Sequence, residues 1–152
     1  MMRAYRITSR LYASDPLSGV GAATYGARWN GKGVRVGYAA SSRALAMIEL
    51  MVHLASPRHP PRDRVLVPVE IPDDAIADLV EWPQSWNALP YRLEVQAVGN
   101  AWIRAANSLA LRVPSALVHE EFNVLVNPAH PRFREITVLA AEAIAWDERL
   151  FR

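Results

Sequence analysis

The stretch GARWNGKGVRVGYAASSRALAMIELMVH, residues 26–53, decides the fold that we expect for this chain. Its first part closes a segment, Ser9–Gly33, that is rich in Gly, Ser, Asn and Asp, as loops are. Val34–Ala39 has the pattern of a strand. Ser41 or Ser42 can cap a helix over Arg43–Leu54, whose interior residues favour helix. We therefore predict a unit of loop, strand and helix.

The predicted helix places one carboxylate close to the protein interior. Leu45, Ile48, Val52 and Ala55 fall on one apolar stripe. Glu49 and His53 lie one turn apart on a neighbouring stripe. Glu49 is therefore expected at the boundary of the core.

Outward from this unit, strands and helices continue in both directions. Ser9–Gly33 is too long for a simple linker in a compact domain, so we expect it to carry function. Pro68 makes the strand Val65–Ile71 better suited to a sheet edge or a bulge. The last segment, Ile136–Trp146, fits a helix by its alanines and a strand by its alternation. The other expected elements are strands at Arg3–Thr8, Leu109–Val113 and Ala116–Val118, helices at Asp73–Leu79 and Leu93–Asn107, an irregular connection over Glu81–Pro90 and a turn over Asn127–Pro131.

The composition indicates one soluble globular domain. The chain has 152 residues, of which 51% are hydrophobic and 21% are charged, and this is enough to build a core without staples. The net charge of +2 is too small for a general nucleic-acid footprint. Cysteine is absent, which excludes disulfides, thiolate metal sites and thiol nucleophiles. With neither a signal peptide nor a membrane-spanning run in the pattern, we expect a cytoplasmic protein without membrane contact.

Several short motifs do not suffice by themselves to assign a function. Gly19–Thr24 begins like a dinucleotide fingerprint but lacks the third glycine, so we expect a loop there and no Rossmann crevice. Glu49 and His53 are only two ligands, so no metal site is expected. Arg28 offers a planar fork for pyrophosphate and Trp29 a stacking face, although such a pair is also common in packed loops. Ser115 follows a proline and lacks the partners of a serine hydrolase triad.

Taken in order, these segments resemble the RES domain family over almost the whole chain. The matching blocks are residues 26–33, 36–42 and 44–53, followed by 112–118, 123–131 and 147–150, the last of which resembles a closing strand. The Arg, Glu and Ser of the family's name correspond here to Arg28, Glu49 and Ser115, and Tyr38 and Arg6 also match. Several motifs in order are far more specific than one motif alone.

The resemblance implies a fold, an activity and a partner. The fold would be α+β, with residues 1–152 as a single RES toxin domain, a mixed sheet core similar to ADP-ribosyltransferases and flanking helices. Ile136–Trp146 is then expected to be a strand. The resemblance also implies a toxin of a type II toxin-antitoxin pair that uses NAD as its substrate. Its expected partner is an Xre-like antitoxin, which would supply the DNA binding within a hetero-oligomeric complex.

The same resemblance suggests roles for individual residues around the NAD molecule. Glu49 would stabilise the positive charge that builds on the ribose when the nicotinamide bond breaks. Arg28 and Arg6 would bind the pyrophosphate or a ribose, Tyr38 would stack on nicotinamide, and Ser115 would bond the carboxamide or the ribose. Asn123, Asn127 and His130 are expected to shape the cleft.

The sequence leaves the acceptor of the ADP-ribose open. A protein side chain, water and inorganic phosphate would make the enzyme a transferase, a glycohydrolase or a phosphorylase. A different class of protein, a non-catalytic module that only binds a nucleotide or the antitoxin, is the alternative. A ribonuclease toxin is disfavoured by the small net charge.

Overall fold

The computed structural model describes residues 1–55 and 58–152, which form one curled, mixed β-sheet with helices against it. Within these described residues the α-helices are α1 (Val20–Tyr25), α2 (Arg43–Met51) and α3 (Leu93–Ala105). The strands are β1 (Met2–Ser9), β2 (Gly37–Ala40), β3 (Arg64–Ile71), β4 (Ile76–Asp78), β5 (Ala110–Pro114), β6 (Phe122–Val126), β7 (Thr137–Val138) and β8 (Glu142–Ala143).

The sheet has the order β4-β5-β6-β2-β1-β3-β7, and β8 also pairs with β3. β4 and β5 are parallel and the other pairs are antiparallel. β1 and β2 pair at a single position, Tyr5 opposite Ala40. This mixed sheet with its helices confirms the expected α+β class.

Hydrophobic residues pack on both faces of the sheet. On one face, Leu45 and Ala46 of α2 pack with Ile7, Ala40 and Leu66. On the same face, Val95 of α3 packs in a second cluster with Trp29, Leu111, Val113 and Leu125. The opposite face is covered by Leu17 and by residues after β6, which pack on Ala39, Val69 and Val124. α2 and α3 thus pack against the same face of the sheet.

Most of the predicted elements are confirmed within a few residues, and the loop Ser9–Gly33 is the main exception. It contains a 3₁₀ turn, Arg10–Tyr12, and the short helix α1. Glycines with positive φ, Gly19 and Gly26, flank α1. α1 has no buried residue, so it lacks the apolar periodicity by which a helix is found in a sequence.

Four further expectations are wrong. Asp73–Leu79 is a 3₁₀ turn followed by β4, because Ile76–Asp78 pairs with β5. Ala116–Val118 is a bend that follows Ser115. The expected closing strand at 147–150 is a 3₁₀ helix, Glu148–Phe151, capped by Asp147. Of the expected stripe on α2, Leu45 is buried but Ile48 and Val52 are exposed.

The last two strands, β7 and β8, are short and are held by pairing with β3. Ile136–Trp146 forms the two short strands β7 and β8, so the strand alternative is confirmed. They pair with β3 at residues 69–70 and 65–66, which leaves Pro68 between them. Leu139 N–H donates to the Pro68 carbonyl, and the missing N–H of Pro68 lies on the same side of β3, between the stretches that pair with β7 and β8. β3 lies between β1 and β7 in the sheet and pairs with β1 in unbroken register, so the expectation of an edge or a bulge is wrong. Within the described residues, no helix is long and apolar enough to span a membrane.

Candidate active site

Glu49 is held at the sheet by two neutral hydrogen-bond donors. The Ser42 hydroxyl caps α2 by accepting from Leu45 N–H at 3.0 Å, and Leu45 and Ala46 are buried one turn before Glu49. Glu49 Oε1 accepts from Ser115 Oγ at 2.9 Å and from Asn123 Nδ2 at 2.8 Å. Within the described residues, Oε2 accepts no protein hydrogen bond. One carboxylate oxygen is therefore fixed by the protein, and the other keeps its acceptor positions unused within the described residues.

Ser115 links this carboxylate to the loop after β5. Its side chain is fully buried, and its oxygen accepts from the N–H groups of Leu117 and Val118 at 3.1 and 3.2 Å. The single hydroxyl hydrogen is donated to Glu49. Since all three bonding positions of the hydroxyl are occupied, Ser115 acts here as an orienting group for Glu49.

Tyr38 lies beside Asn123 on the same face of the sheet. Ala40 is opposite Asn123 and Tyr38 opposite Leu125 in the β2–β6 register, so Tyr38 and Asn123 are diagonal neighbours about 7 Å apart. The Tyr38 hydroxyl donates to Asn30 Oδ1 at 2.6 Å and accepts from Trp29 N–H at 3.2 Å. Burial raises the pKa of Tyr38 well above its ordinary value, so the phenol stays neutral.

Arg28 lies at the tip of a turn next to Trp29. Its guanidinium donates to the carbonyls of Trp86 and Ala88 at 2.9 and 3.1 Å. The same group lies over the ring of Tyr91, 5.1 Å from the centroid. These neutral partners fix the guanidinium, and no carboxylate in the described part of the chain forms an ion pair with it.

Arg6 occupies the place where β1 and β2 separate. Its Nη1 donates to the Tyr38 carbonyl at 3.3 Å, and its Nε is buried with no hydrogen-bond partner among the described residues. Burial, and secondly the nearby Arg64, lower the pKa of Arg6 from its ordinary value. A buried cation without a counter-ion is costly, and an anionic ligand would relieve that cost.

Arg6, Arg28 and Glu49 form no ion pair within the described residues, whereas many other charged side chains do. In the part of the chain that the structure describes, eight ion pairs join other residues, mostly on the surface, such as Arg43 with Glu142 and Arg132 with Asp74. Across residues 1–55 and 58–152, Arg6, Arg28 and Glu49 take part in none of them. Charges of both signs are thus held ready, which suits a ligand that carries both.

Comparison with known proteins assigns the family. The model of the RES domain matches residues 3–147 of this chain. The chain belongs to the RES domain family. It is 40% identical to the protein named Prs ADP-ribosylating toxin of Sphingobium sp. (strain YBL2), over 95% of this chain and 92% of that protein. It is 38% identical to the protein named Toxin Res of Yersinia enterocolitica, over 98% and 99% of the two chains.

A solved structure shows that the fold is shared as well. The chain superposes with a TM-score of 0.75 on a chain of the M. tuberculosis MbcT–MbcA toxin-antitoxin complex, covering 93% of this chain and 83% of that one. The sequence identity is 21%, so this similarity establishes the fold of the RES domain and nothing further.

Two of the residues that the sequence suggested for the cleft lie elsewhere in the RES domain. Asn127 is buried at the far end of β6, about 13 Å along the strand from Asn123. Its amide donates to the Ile103 carbonyl and accepts from Ala129 N–H. His130 Nδ1 accepts from Arg132 N–H in the following turn. Both side chains hold the connection after β6 in place.

Sequence reasoning missed the contribution of Asn30. This residue is fully buried and bonds to the Tyr38 hydroxyl, but in the sequence it is only a polar residue beside a glycine, as in many loops. What distinguishes Asn30 from other loop residues is its burial. The composition of a loop does not show which of its polar residues are buried.

The loop after Ser115 joins the Glu49 and Arg28 regions. His119 lies edge-on against Trp86, with ring centroids 5.2 Å apart, and the Trp86 carbonyl accepts from Arg28. His119 also lines an open surface cavity of about 280 Å³ together with Trp82 and Phe122. The cavity borders the strand ends that carry Ser115 and Asn123 but does not include Glu49, Arg28 or Tyr38.

Proposed function

We propose that this RES domain is a toxin that cleaves NAD at the nicotinamide–ribose bond and passes the ADP-ribose to an acceptor. The supporting observation is that Glu49, Arg28 and Arg6 form no ion pair within residues 1–55 and 58–152. NAD carries a cationic nicotinamide ring on ribose, which complements the Glu49 carboxylate. It also carries an anionic pyrophosphate, which complements the two arginines. The Sphingobium relative is named an ADP-ribosylating toxin, and this name supports the same reaction.

The chemistry follows from the free oxygen of Glu49. When the bond between ribose C1′ and the nicotinamide nitrogen breaks, the electron pair leaves with nicotinamide, which becomes neutral. The ribose becomes an oxocarbenium-like cation, which Glu49 Oε2 stabilises electrostatically or through a ribose hydroxyl. An acceptor then forms a bond to C1′. Water or a protein side chain loses its proton to the solvent in this step, whereas an anionic phosphate oxygen has no proton to lose.

The other residues position the substrate and the carboxylate. Arg28 and Arg6 are assigned to the pyrophosphate or an adjoining ribose, where a guanidinium fork fits the oxygens. The ring of Tyr38 offers a stacking face for nicotinamide. Ser115 and Asn123 hold Glu49 Oε1 so that Oε2 faces the substrate. No metal enters the reaction, so turnover is expected to be unchanged in a chelator.

The proposal includes a protein that restrains the toxin. The matching fold comes from a toxin-antitoxin complex, and we propose an Xre-like antitoxin as the partner, with DNA binding by the antitoxin. An acidic or carboxylate-ended segment of that partner would compensate Arg6 and Arg28 and block the cleft. A complex that keeps full NAD turnover would contradict this arrangement.

Release of nicotinamide from NAD by the purified chain tests the proposal. Chromatography of the sugar product, with and without phosphate, together with a search for ADP-ribosylated protein, separates the three acceptors. We expect nicotinamide release with at least one of them. NAD binding by calorimetry without turnover under any of these conditions would contradict catalysis and indicate a binding module instead.

A further inference from the structure

We infer that Asn30 is a positioning residue that sets the Arg28 turn through the hydroxyl of Tyr38. The inference rests on the proposed function, in which Arg28 binds the NAD pyrophosphate. It adds a residue that touches no substrate and gives the Tyr38 hydroxyl a role distinct from that of the Tyr38 ring.

The orientation of the Asn30 amide is fixed by its surroundings. Nδ2 faces three backbone carbonyls, those of Ala22 at 2.9 Å, Gly31 at 3.0 Å and Val34 at 3.1 Å. An oxygen in that place would face only other acceptors, so the amide nitrogen must lie there. Oδ1 consequently points to Tyr38, from whose hydroxyl it accepts at 2.6 Å.

This orientation determines the direction of the next hydrogen bond. Because Oδ1 can only accept, the Tyr38 hydroxyl donates its single hydrogen to Asn30. The phenolic oxygen is then free to accept from Trp29 N–H at 3.2 Å. Asn30, Tyr38 and Trp29 N–H form a relay of fixed direction that ends next to Arg28.

The relay holds one side of the turn and α3 holds the other. Ala27 N–H donates to the Asn30 carbonyl at 3.0 Å and closes the turn around Arg28. From α3, Gln96 Nε2 donates to the Ala27 carbonyl at 2.9 Å, and Asn100 Oδ1 accepts from Gly31 N–H at 3.1 Å. The Arg28 backbone therefore lies between a helix face and β2, with the Tyr38 hydroxyl as the contact from β2.

Loss of the Tyr38 hydroxyl should act on substrate binding. Trp29 N–H would lose its acceptor and the Arg28 turn would shift, while the phenyl ring and Glu49 would stay in place. A buried hydrogen bond corresponds to about a tenfold change in an equilibrium constant. Since the pyrophosphate is bound alike before and during bond cleavage, we expect KM for NAD to rise about tenfold and kcat to change little.

The experiment compares wild type, Tyr38→Phe and the exposed control Tyr12→Phe in the full chain. The first readout is hydrogen exchange of the Trp29 amide by NMR, which does not involve NAD. The second is KM and kcat for NAD, in wild type and in an Arg28→Ala background. If the Asn30→Ala protein folds, its Trp29 exchange and NAD kinetics are measured in the same way. If it does not fold, the Tyr38→Phe results decide the test.

We expect Tyr38→Phe to speed Trp29 exchange by about tenfold and raise KM similarly, whereas in Arg28→Ala the further rise in KM is below about twofold. A general loss of stability would instead multiply the two effects. Unchanged Trp29 exchange in Tyr38→Phe, or a full additional rise in KM without Arg28, would overturn the inference. If wild type consumes no NAD, the proposed function fails by itself, and Trp29 exchange still decides whether the relay exists.

Discussion

At the scale of single residues, the site depends on how one carboxylate is held. Both donors to Glu49, Ser115 and Asn123, bond to the same oxygen. Neither donor is charged, and no ion pair within the described residues compensates the Glu49 carboxylate. A salt bridge at this position would have compensated that charge.

Removal of one donor should show how much of this geometry depends on Ser115. Ser115→Ala leaves Glu49 Oε1 with Asn123 alone and leaves two N–H groups, those of Leu117 and Val118, without their acceptor. We expect the free energy of unfolding to fall by about 1–3 kcal/mol, because buried polar groups lose partners, and NAD turnover to fall as well. Urea unfolding and nicotinamide release measure both, with the exposed Ser14→Ala as control. Wild-type values for Ser115→Ala would contradict the orienting role.

Tyr38 should make stability sensitive to alkaline pH. Burial raises the pKa of Tyr38 in the folded state above its value in the unfolded chain. The unfolded state therefore releases this proton first, and the stability that Tyr38 contributes is lost as pH rises above about 10. Between about pH 9 and pH 11, the free energy of unfolding should fall about 1 kcal/mol further in wild type than in Tyr38→Phe. Equal decreases in urea titrations of the two proteins would show that the phenol is not held neutral.

These residues could be predicted from the sequence only in part. Arg28, Tyr38, Glu49 and Ser115 stand in the ordered blocks of the family, so their types and positions mark them. Their hydrogen bonds join residues far apart in sequence, as Glu49 and Asn123 are, 74 positions apart, and no local pattern records such contacts. Asn30 was missed for a different reason, because its burial does not show in the composition of the loop.

At the scale of elements, α3 positions the Arg28 turn through a glycine. A Cβ at Gly99 would overlap the Trp29 carbonyl oxygen, so the helix can approach this turn only where a side chain is missing. Gln96 and Asn100, which bond to the turn, lie on the same face of α3. The helix thus holds by packing and by hydrogen bonds the turn that carries Arg28.

Gly99→Ala should disturb both stability and NAD binding. We expect a loss of about 1–3 kcal/mol in the free energy of unfolding from overpacking, and a higher KM for NAD because the Arg28 turn is displaced. Gly21→Ala in α1 is the matched control, since a Cβ there meets nothing within 4 Å and alanine favours helix. Urea unfolding and NAD kinetics of both variants give the comparison. A Gly99→Ala protein as stable as Gly21→Ala would contradict the close approach of α3.

How closely each helix or strand could be predicted depended on how clear its own sequence pattern is. α2 begins at a serine cap and α3 has an acidic first turn, and both helices were predicted to within a few residues. β4, β7 and β8 have at most three residues each, and the pairing partner decides their conformation more than their own composition does. The bend after Ser115 depends on the Ser115 hydroxyl, so it could not be separated from a strand by composition.

At the scale of the whole molecule, the sheet order brings four distant segments to one region. β2 lies between β1 and β6, so Tyr38 has Arg6 on one side and Asn123 on the other. α2 follows β2 directly and places Glu49 above Asn123, and the loop before β2 places Arg28 beside Tyr38. The α+β class was predictable from the order of the blocks, whereas the separation of β1 from β2 at Arg6 was not, because only the tertiary pairing shows it.

The central claim is that the charge of Glu49 drives cleavage of NAD, and Glu49→Gln tests it most directly. The glutamine oxygen can still accept from Ser115 and Asn123, so the fold should persist while the charge is lost. Nicotinamide release is measured beside the exposed control Glu148→Gln, with urea unfolding to compare stabilities. We predict that Glu49→Gln is folded and at least about 100-fold slower than wild type, with Glu148→Gln unchanged. A folded Glu49→Gln protein that releases nicotinamide at the wild-type rate would contradict the claim.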